Sequence, residues 1–283
     1  MASVAIKLSS KMSNHHIIQA STKQDFATSG EDYLVVADTH GPNKILLDIL
    51  QDYDWKLKLN HENWTLEIMN KMRTYSKNGS TLTVFKIYPD RFECFWIGDS
   101  SGKIYSGTKV VFETKDHDYN HVEDLKKVNW FPRTDIKVQD ARTILQVESK
   151  AIDIRGERTN MTRCLGHRGF FHGNGFEKAT IPRENAQYKI VAGSDGFWQM
   201  MCEDDTPFIA NPQNNSKELA EFANRRWHQK WIFHAQGTTQ KGVQFPKNNI
   251  DDICVASYGE HATQHSVKKT KSCQNTKQTQ KTN

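Results

Sequence analysis

Residues 33–42 read YLVVADTHGP. Four apolar residues, Leu34 to Ala37, run straight into Asp38, Thr39, His40 and Gly41. A short apolar run rich in β-branched residues, closed by Gly41 and Pro42, predicts a buried strand with a turn behind it. The turn needs neither an acid nor an imidazole, so Asp38 and His40 require a chemical reason.

The same ending recurs. YKIVAGSD (188–195) closes on Asp195, followed by Gly196. Asp251 and Asp252 stand immediately before ICVAS, and VVFETKDH adds Asp116 and His117. A single acid at a strand end is ordinary turn chemistry. Several converging acids repel one another unless cations stand between them. Oxygen donors of this kind suit hard divalent ions, Mg²⁺ or Mn²⁺. Two such ions about 3.5–4 Å apart share a water, lower its pKa and clamp phosphoryl oxygens. Asp38 and Asp195 are candidates to bridge or hold both ions. His40 is placed to protonate a departing alkoxide.

Outward from these stretches, STLTVFKIY (80–88) and FECFWIGD (92–99) read as a hairpin across PDR. KIYSGT (103–108) and KVVFET (109–114) extend it to a predicted antiparallel meander. DICVASY (252–258) is a later strand. NKILLDILQDY (43–53), ENWTLEIMNKMRTY (62–75) and NSKELAEFANRRWHQKW (215–231) carry apolar stripes at helical spacing. Asn215 with Glu218 forms a variant capping box at the start of the third. Strands in antiparallel groups with separate helices make an α+β chain, sheets covered by helices. Residues 118–187 are polar and weakly periodic and read as a loop or flap over one end of the sheet.

The chain of 283 residues is long enough to bury a large core without disulfides. Its five cysteines are scattered, with no CxxC pair, which argues against a disulfide framework and against a structural zinc site of the usual spacing. A reducing, cytoplasmic location fits, since no stretch reads as a signal peptide or membrane span. The net charge of +5 resides in residues 261–283, which hold five lysines and no acid. The body, 1–260, is neutral, which argues against nucleic acid; the basic tail, rich in Lys, Thr and Gln, is predicted disordered.

The order of these motifs resembles the metal-dependent Ser/Thr phosphatases of the protein phosphatase 2C type. STKQDF with LVVADTHG resembles that family's paired acid motif and its VxDGHGG motif. GSTLTVF (79–85) resembles its GSTA strand, FWIGDSSGKIY (95–105) its GDSR segment, and TKDHDYNHVEDLKKV (114–128) its DH stretch. TRCLG (162–166) resembles SRALG, IVAGSDGFWQMM (190–201) resembles LASDGLWD, and NNIDDICVA (248–256) resembles DNxTVIVV. Together they span roughly residues 20–258.

The resemblance implies two packed antiparallel sheets flanked by helices, a β-sandwich with metals at one end. It implies Asp38 as bridging metal ligand and the carbonyl of Thr39 as another, Thr39 standing where the family has glycine. Asp195 and Asp251 become the other acids of a dinuclear Mg²⁺ or Mn²⁺ centre, and Asp116 an acid of a weaker third metal. Gln24 and Asp25 match the paired acids, with the Gln24 amide positioned to hold a metal-bound water. His40 becomes the general acid. The activity implied is hydrolysis of phosphoserine and phosphothreonine in phosphorylated proteins, by a monomer.

Departures from the family pattern are specific. Ala20 occupies the position of a phosphate-binding arginine, leaving nearby Lys23 as the cation for substrate phosphate, without the guanidinium fork. His167 replaces an aspartate and Gln199 the last acid of DGLWD. These changes support a second reading, a weak or inactive pseudophosphatase that binds phosphoproteins. His15 and His16 read as exposed and Trp198 as core. His167, Arg168 and His172 in GHRGFFHGNG read as a glycine-rich loop in preference to a flap lining the site. In NRRWHQKW the tryptophans face the core, not nucleic acid.

Overall fold

The 33–42 stretch supplies the central strand Tyr33–His40 of a computed structural model that describes residues 8–20, 24–75, 77–118, 121, 124, 129–131, 136–139, 144–147, 151–154, 157–159, 161–167, 175–235 and 238–262. Side chains alternate across this strand. Leu34 and Val36 face a second sheet, packing with Phe85, Ile104, Ile190 and Tyr258. Val35 and Ala37 pack on the opposite side under Leu46, Leu50, Trp64 and Ile68. Both faces are covered, so the apolar run needs no polar alternation.

The sheet holding this strand has the order 165–166, 79–80, 33–40, 82–87, 91–97, 177–182, with Asp25–Ser29 also paired to 33–40. The second sheet has the order 8–18, 253–262, 188–193, 101–106, 109–113. Every pairing in both is antiparallel. Helices Ile45–Gln51 and Trp64–Met72 cover the first sheet. Helix Ser216–His228 covers the second, through Leu219, Ala223 and Trp227. The α+β sandwich read from the sequence is the fold observed. Each large apolar side chain in these layers contributes about 1.5–3 kcal/mol by leaving water.

Three expectations need correction. The 82–97 hairpin and the 101–113 hairpin belong to different sheets, so they do not form one meander. The chain changes sheets at Gly98–Ser100, where Gly98 has φ +97° and a side chain would meet Thr81 at 2.7 Å. Leu8–Ile18 forms an edge strand along 253–262. Its sequence is polar because an edge strand keeps one side in water. The 118–187 region is not simply a loop: 177–182 is an edge strand of the first sheet, and short strands occur at 129–131, 136–139, 144–147, 151–154 and 157–159. The final strand, Ile253–Ala262, absorbs the first two residues assigned to the tail; 263–283 lie outside the described residues.

The capping box is present, Asn215 accepting from the Glu218 N–H at 3.1 Å and Glu218 accepting from the Asn215 N–H at 2.8 Å. Among the described residues the cysteines are free thiols, and no helix is long and apolar enough to cross a membrane. The 216–228 helix also anchors the turn after 188–193. Trp227 Nε1 donates to Gly196 O at 2.7 Å, and Arg226 donates to Met200 O at 2.6 Å while pairing with Asp205. Trp227→Phe strands a buried carbonyl and is expected to lower stability by about 1–3 kcal/mol. Urea unfolding checks this; an unchanged midpoint contradicts it.

Candidate metal centre

The inward rows of the sandwich end in carboxylates. Leu34 and Val36 are followed on the same face by Asp38, and Ala27 is preceded by Asp25. Asp25 and Asp38 are register partners across adjacent strands. From the second sheet, strand 188–193 delivers Asp195 as the first residue of a short helix, Asp195–Trp198. Ser194 Oγ joins the sheets by donating to Asp25 Oδ2 at 2.9 Å. Gly196 lies against the 251–252 backbone, where a Cβ would sit 2.1 Å from Asp252 O and 3.0 Å from Asp251 Cβ. Glycine is needed there for the acids to meet.

Electrostatics show that these groups act on one another. Burial raises the Asp38 carboxyl well above the carboxylate range, and the charges of Asp25, Asp195, Asp251 and Asp99 raise it further. Burial, then Asp195 and Asp25, push Asp251 up to about 8. Asp25 is pushed to about 7, mainly by burial, against the Ser194 hydrogen bond. Asp195 is raised by burial, opposed by the Gly196 N–H bonded to its Oδ1 at 2.8 Å. Asp38, Asp195 and Asp251 thus lie within reach of one another's charge, with Asp25 among them, but among the described residues the groups of three ligand atoms within 4.8 Å of one another are His40–Cys164–His167 and His117–His121–Asp124, not these acids. Asp116 belongs to an adjoining group. It accepts from Ser101 Oγ and is pushed to about 7 by burial, with smaller contributions from Asp118, Glu113 and Asp195.

The donor set fits hard cations. It consists of oxygens whose mutual repulsion a divalent ion relieves. Gln24 adds an orphaned acceptor: its Nε2 donates to Gly41 O at 3.3 Å, while its buried Oε1 has no protein donor. Thr39 keeps φ outside the left-handed region, so replacing glycine imposes no strain there. Its hydroxyl donates to Gln24 O at 2.8 Å, away from the acids. Asp252 serves the scaffold, accepting from the N–H groups of Ala20 at 2.5 Å and Gln24 at 3.1 Å. Lys23 lies outside the described residues.

Residues overlooked in the sequence reading are also present. Asp99 ends FWIGD as the other acids end their strands; burial and the charges of Asp195 and Asp116 raise it strongly. Asp118 adds charge to Asp99 and Asp116. Gln199 does more than remove an acid, since its Nε2 donates to Asp195 Oδ2 at 3.1 Å. His167 does more than belong to a glycine-rich loop: its Nε2 lies 2.8 Å from His40 Nε2. Arg168 and His172 lie outside the described residues. Burial, then His167, lowers His40 to about 4. Behind the acids, the Gly98 N–H donates to His117 Nδ1 at 3.0 Å, fixing the residue before Asp99. His15 is exposed as expected, His16 only half so. Trp198 is half-buried and donates to Ser101 O at 2.9 Å.

These shifts set a pH dependence for protein stripped of divalent ions. Asp25, Asp116 and Asp251 have folded values above the ordinary 3.8, so the native state holds protons that the unfolded chain has lost. Their contribution favours folding at low pH and is lost as pH rises through about 7 to 8. His40 and His117, lowered to about 4 from 6.5, act oppositely below 6.5. Above 6.5 the carboxylates dominate. Urea midpoints of stripped protein should fall from pH 6.5 to 8.5, and millimolar Mg²⁺ should restore most at the higher pH. A midpoint that rises over this range contradicts the clustering.

No protein-family model matches the chain, and no curated protein matches it significantly. Solved structures do. A C. elegans sex determining protein matches with TM-score 0.58 and 15% identity, over 89% of this chain and 65% of that one. The present chain thus spans just under two thirds of that neighbour's length. The catalytic domain of the serine threonine protein phosphatase PstP, in complex with 2 manganese ions, matches with TM-score 0.52 and 15% identity, over 88% and 98%. The serine/threonine phosphatase Stp1 from Staphylococcus aureus matches with TM-score 0.55 and 10% identity, over 92% and 99%. The chain has the protein phosphatase 2C-like fold, that of these Ser/Thr phosphatases.

Proposed function

We propose that the chain is a metal-dependent protein serine/threonine phosphatase. The observation that carries this reading is the convergence of Asp25, Asp38, Asp195 and Asp251 at one end of a sandwich whose solved neighbours include a phosphatase bound to 2 manganese ions. Asp38, Asp195, Asp251 and the Thr39 carbonyl would hold two Mg²⁺ or Mn²⁺ ions. Asp116, with Asp99 and Asp118, would hold a weaker third. When bound, two such ions supply a water nucleophile at neutral pH and neutralise phosphoryl charge.

The chain's own groups do the rest. Gln24 Oε1 offers an acceptor to a water within the cluster. Burial and His167 favour the neutral form of His40 in the free protein; an arriving phosphate dianion favours its protonated form. His40 then donates a proton to the departing serine or threonine oxygen. His167, across the 2.8 Å contact, orients the His40 ring. Lys23 is assigned to substrate phosphate. We also place the chain as a monomer in a reducing compartment, in keeping with the free thiols of Cys94, Cys164, Cys202 and Cys254 among the described residues. One observation favours the second reading, a phosphoprotein binder with little turnover: the Gln199 amide occupies Asp195 Oδ2 and competes there with a cation.

A Mn²⁺-dependent assay on phosphopeptide decides between them. Wild type should turn over and Asp195→Asn should not. His40→Ala should lose roughly 10²-fold or more on phosphoserine peptide, the scale of general acid catalysis. It should lose much less on p-nitrophenyl phosphate, whose leaving group needs no proton. Equal losses on both substrates would contradict the role of His40, and an inert wild type would favour the binder.

A further inference from the structure

Two departures from the SRALGD pattern converge on His40. Cys164 stands where that pattern has alanine, and His167 where it has aspartate. Three paired segments bring them together: His40 is the register partner of Gly79, and Gly79 of Gly166. Gly79 makes the space. A Cβ there would lie 2.2 Å from His40 Nε2 and 2.5 Å from His167 Nε2. His167 is held at φ +47°, with its N–H bonded to Asn78 O at 2.8 Å. The sulfur of buried Cys164 and a ring nitrogen from each histidine all lie within 4.8 Å of one another.

We propose that His40, Cys164 and His167 form a second, softer metal site that takes Zn²⁺, with solvent in its fourth position. Zinc binds nitrogen at about 2.0–2.1 Å and thiolate at about 2.3 Å, which sets tetrahedral ligand separations of roughly 3.3–3.6 Å. The imidazoles, at 2.8 Å, need to part by about half an ångström. The nitrogen and sulfur donors separate this site chemically from the all-oxygen centre, which suits Mg²⁺ or Mn²⁺. Burial and the nearby Asp99 charge hold the Cys164 thiol up at about 12. Binding breaks the S–H bond, forms a sulfur–metal bond and releases the proton to solvent. The Asp99 field that opposes a bare thiolate favours a cation. On the phosphatase reading, zinc at His40 Nε2 removes the proton donor, so the site inhibits.

The test uses the full chain with Co²⁺ as probe, in excess Mg²⁺ to occupy the carboxylates. One equivalent of Co²⁺ should give a near-ultraviolet thiolate-to-cobalt band, abolished by one equivalent of Zn²⁺. Cys164→Ala should lose the band while retaining the native circular dichroism spectrum. His167→Asn, a residue that tolerates the left-handed backbone, should weaken Co²⁺ binding by at least the roughly tenfold that even an outer partner's loss costs. Absence of the band in wild type, or its persistence in Cys164→Ala, overturns the site. The band does not depend on turnover, so an inert protein that shows it refutes the phosphatase reading alone. In an active protein, Zn²⁺ should inhibit wild type and spare Cys164→Ala.

Discussion

Repulsion among carboxylates that are half-buried, with Asp25 fully so, is the constraint around which the rest of the molecule is arranged. Asp38 feels Asp25, Asp195, Asp251 and Asp99 at once. Left alone, such a group either takes up protons or costs folding energy. The fold supplies only partial relief, through Ser194 on Asp25, the Gly196 N–H on Asp195 and Ser101 on Asp116. On the proposed reading, the unsatisfied remainder is what would give a divalent cation its hold. A site of this kind is expensive without ions, and that expense would be the source of its affinity.

The sandwich makes that concentration of charge tolerable. Rows of Leu34 and Val36 on one sheet, and of Cys254 and Ala256 on the other, form a fully buried layer. The acids appear only where those rows run out. Glycines then permit contacts that side chains would block, at Gly196 against the 251–252 backbone and at Gly79 against the two imidazoles. Helix 216–228 holds the Asp195 turn through Trp227 and Arg226. Rigid apolar layers thus position a polar end whose own contacts would drive it apart.

Much of this was legible in the sequence, for a physical reason. An apolar strand buried on both faces announces itself, and an acid at its end stands out; hence Asp38, Asp195 and Asp251. Asp99 carried the same signal after FWIG, but the turn-like DSSG that follows concealed it. The Leu8–Ile18 edge strand was invisible because polar residues suit an edge. His167 was beyond reach because its meaning depends on pairing between 165–166 and 79–80, two short strands with no periodicity to detect. Gln199 illustrates the same limit. Its loss of charge could be read from the sequence, while its hydrogen bond to Asp195 required coordinates.

Isothermal titration of Mn²⁺ into stripped protein near pH 7.5, repeated in buffers of different ionisation enthalpy, addresses the central claim directly. Two tightly bound ions per chain with net release of protons are predicted, and loss of both in Asp38→Asn, whatever the weaker third ion does. Absence of binding at millimolar Mn²⁺, or binding that releases no protons, would contradict it.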